Sequence, residues 1–174
     1  MDVLEAISTR RSVRIFKSEP VGGDLVERLL TAAMEAPSAG NEAPWHFVVV
    51  TEKRLLEKIP YINPNAPMAK RAPLGILVCA DLLLEKFPGN WVLDCAAAAQ
   101  NILLAARGLG LGAVWTGVYP EKSRMDGFRS LFGLPENIMP HTYIPVGWPA
   151  SNPKAQDRFN RERIHKNAWQ GEWP

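Results

Sequence analysis

A chain of 174 residues that is 47% hydrophobic carries enough apolar side chains for a core of ordinary domain size. Twenty Lys plus Arg against 18 Asp plus Glu leave a formal charge of +2, which excludes the bulk positive field that recruits nucleic acid or an anionic membrane. No apolar run reaches the roughly 18 residues of a membrane helix and no basic-then-apolar leader opens the chain, so a soluble cytoplasmic protein is expected.

Asp2 followed by Glu5 has the form of a capping box, and Val3, Leu4 and Ile7 share a face, which predicts a first helix ending near Thr9. Arg10 to Arg14 would follow as an extended segment. Leu25, Leu29, Leu30 and Ala33 repeat at helical spacing until Pro37 stops the helix. The small, turn-forming residues Pro37-Ser38-Ala39-Gly40-Asn41 then make a loop. His46 to Thr51 and Leu74 to Ala80 read as strands, separated by a short helix near Arg54 to Lys58 and a loop broken by Pro60, Pro64, Pro67 and Pro73.

Trp91 to Ala106 reads as a helix that is apolar or small nearly all round, buried within the subunit or across a dimer, with Asp94, Gln100 and Asn101 as its polar members. Asp94 is expected to accept a hydrogen bond from a neighbouring backbone or arginine. Gly108, Gly110 and Gly112 end this helix, and Ala113 to Val118 is expected as one strand. A short helix after Pro120 and a strand over His141 to Trp148 follow, Pro145 arguing for an edge or a bulge. The final 26 residues, from Pro149, are polar and basic yet include Phe159, Trp169 and Trp173, which suggests an arm packed on something. Without a βαβ rhythm, the fold class expected is α+β with a mixed sheet, in a single domain over residues 1–174.

Cys79 and Cys95 each lie in an apolar run without the spacing of a metal or redox pair and are read as core thiols. His46, His141 and His165 have no zinc-site spacing, and no nucleophile elbow is present, so neither a metal nor covalent catalysis is expected. The glycines at 108, 110 and 112 precede a strand and are poor dinucleotide-fingerprint candidates.

Other residues do suggest a ligand. In Arg10-Arg11-Ser12-Val13-Arg14, an extended backbone would point Arg10, Ser12 and Arg14 to one side and Val13 to the core, which fits a phosphate pocket or a solvated basic turn. The Pro37 to Asn41 loop offers small side chains and the polar groups of Ser38 and Asn41 to a flat ligand, or is a plain connection. Trp115, Thr116 and Gly117 could supply an apolar face and donors, or form ordinary core. Among the cations of the tail, Lys154, Arg158, Arg161 and Arg163, one or two could close over an anion held at the amino-terminal arginines.

Arg10 to Phe16, then Ala36 to Asn41 leading through Pro44-Trp45 to His46-Phe47, resemble the paired signatures of the FMN-dependent nitroreductase family. Gly108 to Gly112 running into Trp115, and Val146-Gly147-Trp148-Pro149 before a basic tail, are similar to its later segments. The resemblance spans nearly the whole chain. It implies a mainly antiparallel sheet flanked by helices in an intertwined obligate homodimer, with FMN at the subunit interface.

Under that resemblance Arg10, Arg11, Ser12 and Arg14, with Arg158, would hold the phosphate and ribityl chain. Pro37, Ser38, Ala39 and Asn41 would reach in from the partner, Trp115, Thr116 and Gly117 would line the ring, and Asn65 would stand near its pyrimidine edge. The arm over residues 149–174 would wrap the other subunit. Two departures stand out: the middle loop Asn63 to Met68 has no charge before Lys70, and Gln156 stands where relatives tend to have a second arginine.

The activity implied passes two electrons from NADH or NADPH through flavin N5 to an electron-poor acceptor, such as a nitroaromatic or quinone, by a ping-pong mechanism. Alternatives are a more specific flavin reductase, dehalogenase or dehydrogenase of the same superfamily, or a flavin-binding storage or sensor protein without turnover.

Overall fold

The computed structural model describes residues 1–151 and 153–173. Asn152 and Pro174, which belong to the expected arm, lie outside the described residues. Helix α1 (Val3–Thr9) ends where predicted, but the capping box does not form: Asp2 sits at the N-cap and its side chain makes no cap hydrogen bond. Ala6 is the buried residue of α1, whereas Val3, Leu4 and Ile7 face away from the chain's own core. Helix α2 (Gly23–Met34) buries Leu29 and Ala33, one turn apart, and stops before Pro37.

Among the described residues, β1 (Trp45–Val50), β2 (Leu74–Asp81), β5 (Ile138–Gly147) and β3 (Gly112–Ala113) lie side by side in that order, with β4 (Thr116–Gly117) also paired to β5. Every strand pairing is antiparallel, and the parallel component is an isolated bridge from Ser12 to Ala113. Successive side chains of β2 enter opposite layers. Leu74, Ile76, Val78 and Ala80 pack with α2 and α5 (Trp91–Gly108), while Leu77 and Cys79 pack with Leu56, Ile59, Phe128 and Tyr143. With both faces covered, β2 is apolar and buried from Leu74 to Ala80 instead of alternating.

Helix α3 (Lys53–Leu56) is followed by α4 (Ile59–Ile62), within a stretch whose prolines predict only a loop. Pro60 sits in the first turn of α4, where its missing N–H would have had no helical partner. Helix α6 (Lys122–Phe132) closes the second layer and ends at Gly133, whose φ of +63° is left-handed. Cys79 and Cys95 are free and buried, as expected of core thiols.

Two expectations need correction, and one proline explains both. Pro145 lies in β5, a central strand flanked by β2 and β3, rather than on an edge. The predicted strand from Ala113 to Val118 is split into β3 and β4, although both keep a single register against β5, with Ala113 opposite Val146 and Thr116 opposite Tyr143. The Val114 amide donates to the Pro145 carbonyl at 3.3 Å, but Pro145 has no N–H to return. The ladder therefore breaks at that point. The irregularity in β5 pairing falls instead opposite Val78 and Cys79.

Among the described residues no helix is long and apolar enough to cross a membrane. In the tail, Pro149 bridges to Phe16, and farther on the chain folds back on itself, with a bridge from His165 to Glu172 and the His165 ring stacked on Trp169 at 4.4 Å. Phe159, Trp169 and Trp173 remain exposed.

Candidate functional site

The end of α1 delivers Arg10 to the sheet edge in an extended conformation. There the Val13 amide donates to the Ala113 carbonyl at 3.1 Å and the Val13 side chain enters the core. A glycine at 112 permits this approach, since a Cβ there would stand 2.7 Å from the Val13 Cβ. Ser12 is left half-buried beside β3 and Arg14 exposed.

Arg11 is used differently from its neighbours. Its Nε, Nη1 and Nη2 donate to the carbonyls of Lys154, Arg10 and Gln156 at 3.2, 2.6 and 3.1 Å. The guanidinium thus pins the tail, and the pinned tail brings Arg158 close enough to act on Arg10. Burial, then the charges of Arg158 and Arg11, hold the Arg10 pKa below its ordinary value. These groups border a cavity of about 520 Å³ lined by Ile7 to Arg11 and Ala155 to Arg158. Among the described residues no carboxylate forms a salt bridge with Arg10, Arg11 or Arg158. Asp157, which also lines the cavity, accepts from the Phe159 amide instead. Converging cations without a salt-bridged carboxylate make a ready site for a dianion.

Along the same edge, the Gly117 carbonyl accepts from Asn63 Nδ2 at 3.1 Å and from Arg124 Nη1 at 3.0 Å. Asn63 is fully buried, and its Oδ1 accepts from the Asn65 amide at 3.1 Å, which sets the exposed Asn65 beside Gly117. Thr116 is buried and its hydroxyl donates to the Tyr143 carbonyl at 2.6 Å, so that hydroxyl is committed to the fold. Trp115 keeps 37% of its surface exposed and meets His141 edge-on at 5.6 Å. His141, whose pKa burial pushes down to about 4, is neutral near pH 7, and its Nδ1 has no partner.

Sequence reasoning gave Asn63, Arg124 and His141 no role at this site. The Asn-Pro-Asn turn was a usable signal for Asn63. Nothing local marks Arg124, whose target is a carbonyl on another element.

The Pro37–Asn41 loop follows separate ties. Hydrogen bonds tie it to α5 and, from Lys86 Nζ to the Gly40 carbonyl at 3.3 Å, to the segment before α5. The Ala39 amide donates to Asp94 Oδ1 at 3.0 Å, bearing out the expectation that Asp94 accepts from neighbouring backbone, and the Ala43 amide donates to Ser38 Oγ at 2.9 Å. Gly40 takes a φ of +52° and leaves no room for a Cβ, which would lie 2.3 Å from the Phe87 ring. Pro37 and Asn41 are exposed, and Ser38 and Ala39 half-buried. The signature residues are thus distributed: Arg10 and Arg158 line the cavity, Ser12 bridges to Ala113 and Asn65 adjoins Gly117 along the sheet edge, Arg14 is exposed, and Pro37 to Asn41 cap the start of α5.

The model of the nitroreductase family matches residues 7–63 and 60–148. The chain belongs to the nitroreductase family. A relative from Methanothermobacter thermautotrophicus, provisionally named NADH dehydrogenase/NAD(P)H nitroreductase, is 54% identical over 97% of this chain and 88% of its own length. A crystal structure from Parabacteroides distasonis, given the same provisional name, superimposes with a TM-score of 0.92 at 41% identity, covering 96% of this chain and 98% of that one. A nitroreductase, also provisionally named, from Desulfovibrio desulfuricans was solved in complex with FMN. It gives a TM-score of 0.83 at 28% identity, covering 97% and 98% of the two chains. As a nitroreductase-family member, this chain is an enzyme of the oxidoreductase class.

Proposed function

We propose that this chain is an FMN-dependent oxidoreductase that takes two electrons from NADH or NADPH and passes them to an electron-poor acceptor, such as a nitroaromatic or quinone, in a ping-pong cycle. The observation that carries the reading is the convergence of Arg10, Arg11 and Arg158 on one cavity without a carboxylate partner, beside a strip that can border a flat ring. The cavity fits a phosphate monoester, because a dianion there removes a repulsion that the chain itself leaves uncompensated.

FMN, when bound, supplies the two-electron chemistry, so no acid–base or nucleophilic residue is required of the protein. Arg10, Ser12, Arg14 and Arg158 hold the phosphate and ribityl end, while Arg11 fixes the tail that presents Arg158. Trp115 supplies an apolar wall, and Thr116 and Gly117, tied to Tyr143, Asn63 and Arg124, give that wall a rigid backbone. Asn65 offers a neutral amide at the pyrimidine edge where a charge is absent.

Pro37, Ser38, Ala39 and Asn41 of the partner subunit complete the site in a homodimer. A second copy is favoured by the apolar side chains left exposed on α1 (Val3, Leu4, Ile7) and on α5 (Leu93), and by Phe159, Trp169 and Trp173 on the arm over residues 149–174.

The deciding experiment is an anaerobic visible spectrum of FMN-reconstituted protein during titration with NADH and then NADPH. Bleaching of the flavin band near roughly 450 nm with about one reductant per flavin is expected, and the nucleotide that acts first is the preferred donor. Flavin that binds but stays oxidised with both would leave a storage or sensor protein. Absence of flavin binding would overturn the reading.

A further inference from the structure

Beneath the Pro37–Asn41 loop lie two buried carboxyl groups that the redox chemistry does not use. Asp94, in the first turn of α5, and Glu42, just after the loop, are 4% and 6% exposed. Each has one oxygen fully engaged. Asp94 Oδ1 accepts from the Ala39 amide at 3.0 Å, and Glu42 Oε2 accepts from the amides of Lys86 and Phe87 at 2.6 and 3.2 Å. The other oxygens, Asp94 Oδ2 and Glu42 Oε1, are both buried and have no donor. Ala39 brings the two residues together, since its amide donates to Asp94 and its carbonyl accepts from the Glu42 amide at 3.0 Å, and each carboxyl acts on the other's protonation.

Two ionised carboxylates so placed would repel, and each would leave a buried lone pair unsatisfied. One proton between them cures both faults.

We propose that Asp94 and Glu42 share a single proton between Asp94 Oδ2 and Glu42 Oε1, and that this pair is the positioning element that holds the Pro37–Asn41 loop in shape for the flavin site. The second half of the proposal rests on the functional reading above; the first does not. The surroundings assign the proton mainly to Asp94. Burial, opposed by the Ala39 amide and reinforced by Glu42 and Glu85, raises the Asp94 carboxyl above its ordinary range. Burial also acts to raise Glu42, but the Lys86 and Phe87 amides, then Asp94 and the Lys86 charge, outweigh it and hold Glu42 below its ordinary range.

The charged groups around the pair are Glu85, whose Oε1 accepts from the Gly89 and Trp91 amides, and Lys86, whose Nζ donates to the Gly40 carbonyl at 3.3 Å. The neighbouring Cys95 thiol is neutral, its pKa pushed up by burial. The loop, the segment ahead of α5 and α5 itself are thus joined through one proton.

Amide substitutions test this directly. In Asp94→Asn the carbonyl can still accept from Ala39 while the NH₂ replaces the shared proton, and in Glu42→Gln the roles reverse. In the double variant two NH₂ groups face each other with no acceptor. The expected result, in flavin-free protein, is that each single change keeps the Ala39 amide protected from hydrogen exchange within about threefold, whereas the double variant loses protection by on the order of a hundredfold, far beyond the product of the singles. Additive effects would overturn the shared proton.

Should the double variant not fold, wild type and Asp94→Asn suffice. Ala39 protection in wild type should weaken as pH rises through the raised Asp94 pKa and stay flat in Asp94→Asn; equal profiles would overturn the proposal. FMN affinity measured by fluorescence should fall in parallel with Ala39 protection. Lost protection with unchanged affinity would overturn the positioning role, whereas wild-type protein that binds no FMN would instead overturn the functional reading.

Discussion

The Arg10–Arg14 segment and the Pro37–Asn41 loop each follow a helix, and each carries polar groups that a plain connection does not need. They treat charge in opposite ways. At the sheet edge, cations from the segment and from the tail are gathered and left without a counter-ion, so the positive charge stays available. Under the loop, carboxyl groups are buried and each is given backbone donors, so that none of the charge reaches the surface. A region built to receive an ion keeps its charge unpaired, whereas a region built to hold a shape ties its carboxyl groups to backbone amides.

The sharpest break of this comparison is removal of the edge charge. Arg10→Ala combined with Arg158→Ala deletes two charge-assisted contacts worth about 1.5–3 kcal/mol each. FMN affinity should fall by on the order of a hundredfold to ten-thousandfold, read by fluorescence titration, with little change in melting temperature. Unaltered affinity would show that the unpaired charge is incidental. By contrast, Arg11→Ala should free the tail and expose it to limited proteolysis between Lys154 and Arg158, since its donors serve the backbone.

A smaller effect is expected from crowding the contact that places the edge segment. In Gly112→Ala the new methyl meets Val13, and overpacking of this kind costs about 1–3 kcal/mol, measurable by urea unfolding.

The loop gives a pH test in which the signs are fixed. The Asp94 contribution is complete below the ordinary aspartate range and is lost as pH rises through its raised pKa. The Glu42 contribution is complete above the ordinary glutamate range and is lost as pH falls through its lowered pKa. Flavin-free stability should therefore weaken on both sides of the window that holds one proton, and Asp94→Asn should flatten the alkaline limb in thermal melts across pH. The smallest effect is expected at a solvated pair. Lys122→Ala breaks a 2.8 Å contact to Asp126 on the exposed face of α6 and should shift stability by no more than about 0.5 kcal/mol, with FMN affinity unchanged.

Much of this was legible in the chain. The helical spacing of Leu25, Leu29 and Ala33, the stop at Pro37 and the unbroken apolar run of β2 each reported a local cause, and each element appeared close to its expected place. The elements that went astray depend on partners. Pro145 argued for an edge or a bulge because its missing N–H is visible in sequence; the strand that tolerates the gap, divided into β3 and β4, is visible only in the sheet. Asp2 and Glu5 have capping-box spacing, but the side-chain geometry that would make the cap is absent.

The sequence by itself determined the longer helices, the strands β1 and β2, the chemistry of the basic segment and its family, because propensity, periodicity and motif spacing are properties of neighbouring residues. Only the tertiary structure decided that Arg11 serves the tail while Arg158 returns to Arg10, that Asn63 and Arg124 meet at the Gly117 carbonyl, and that Glu42 finds Asp94 beneath the loop. Hydrogen bonding and burial between residues distant in the chain depend on how the layers pack, and no local pattern records that.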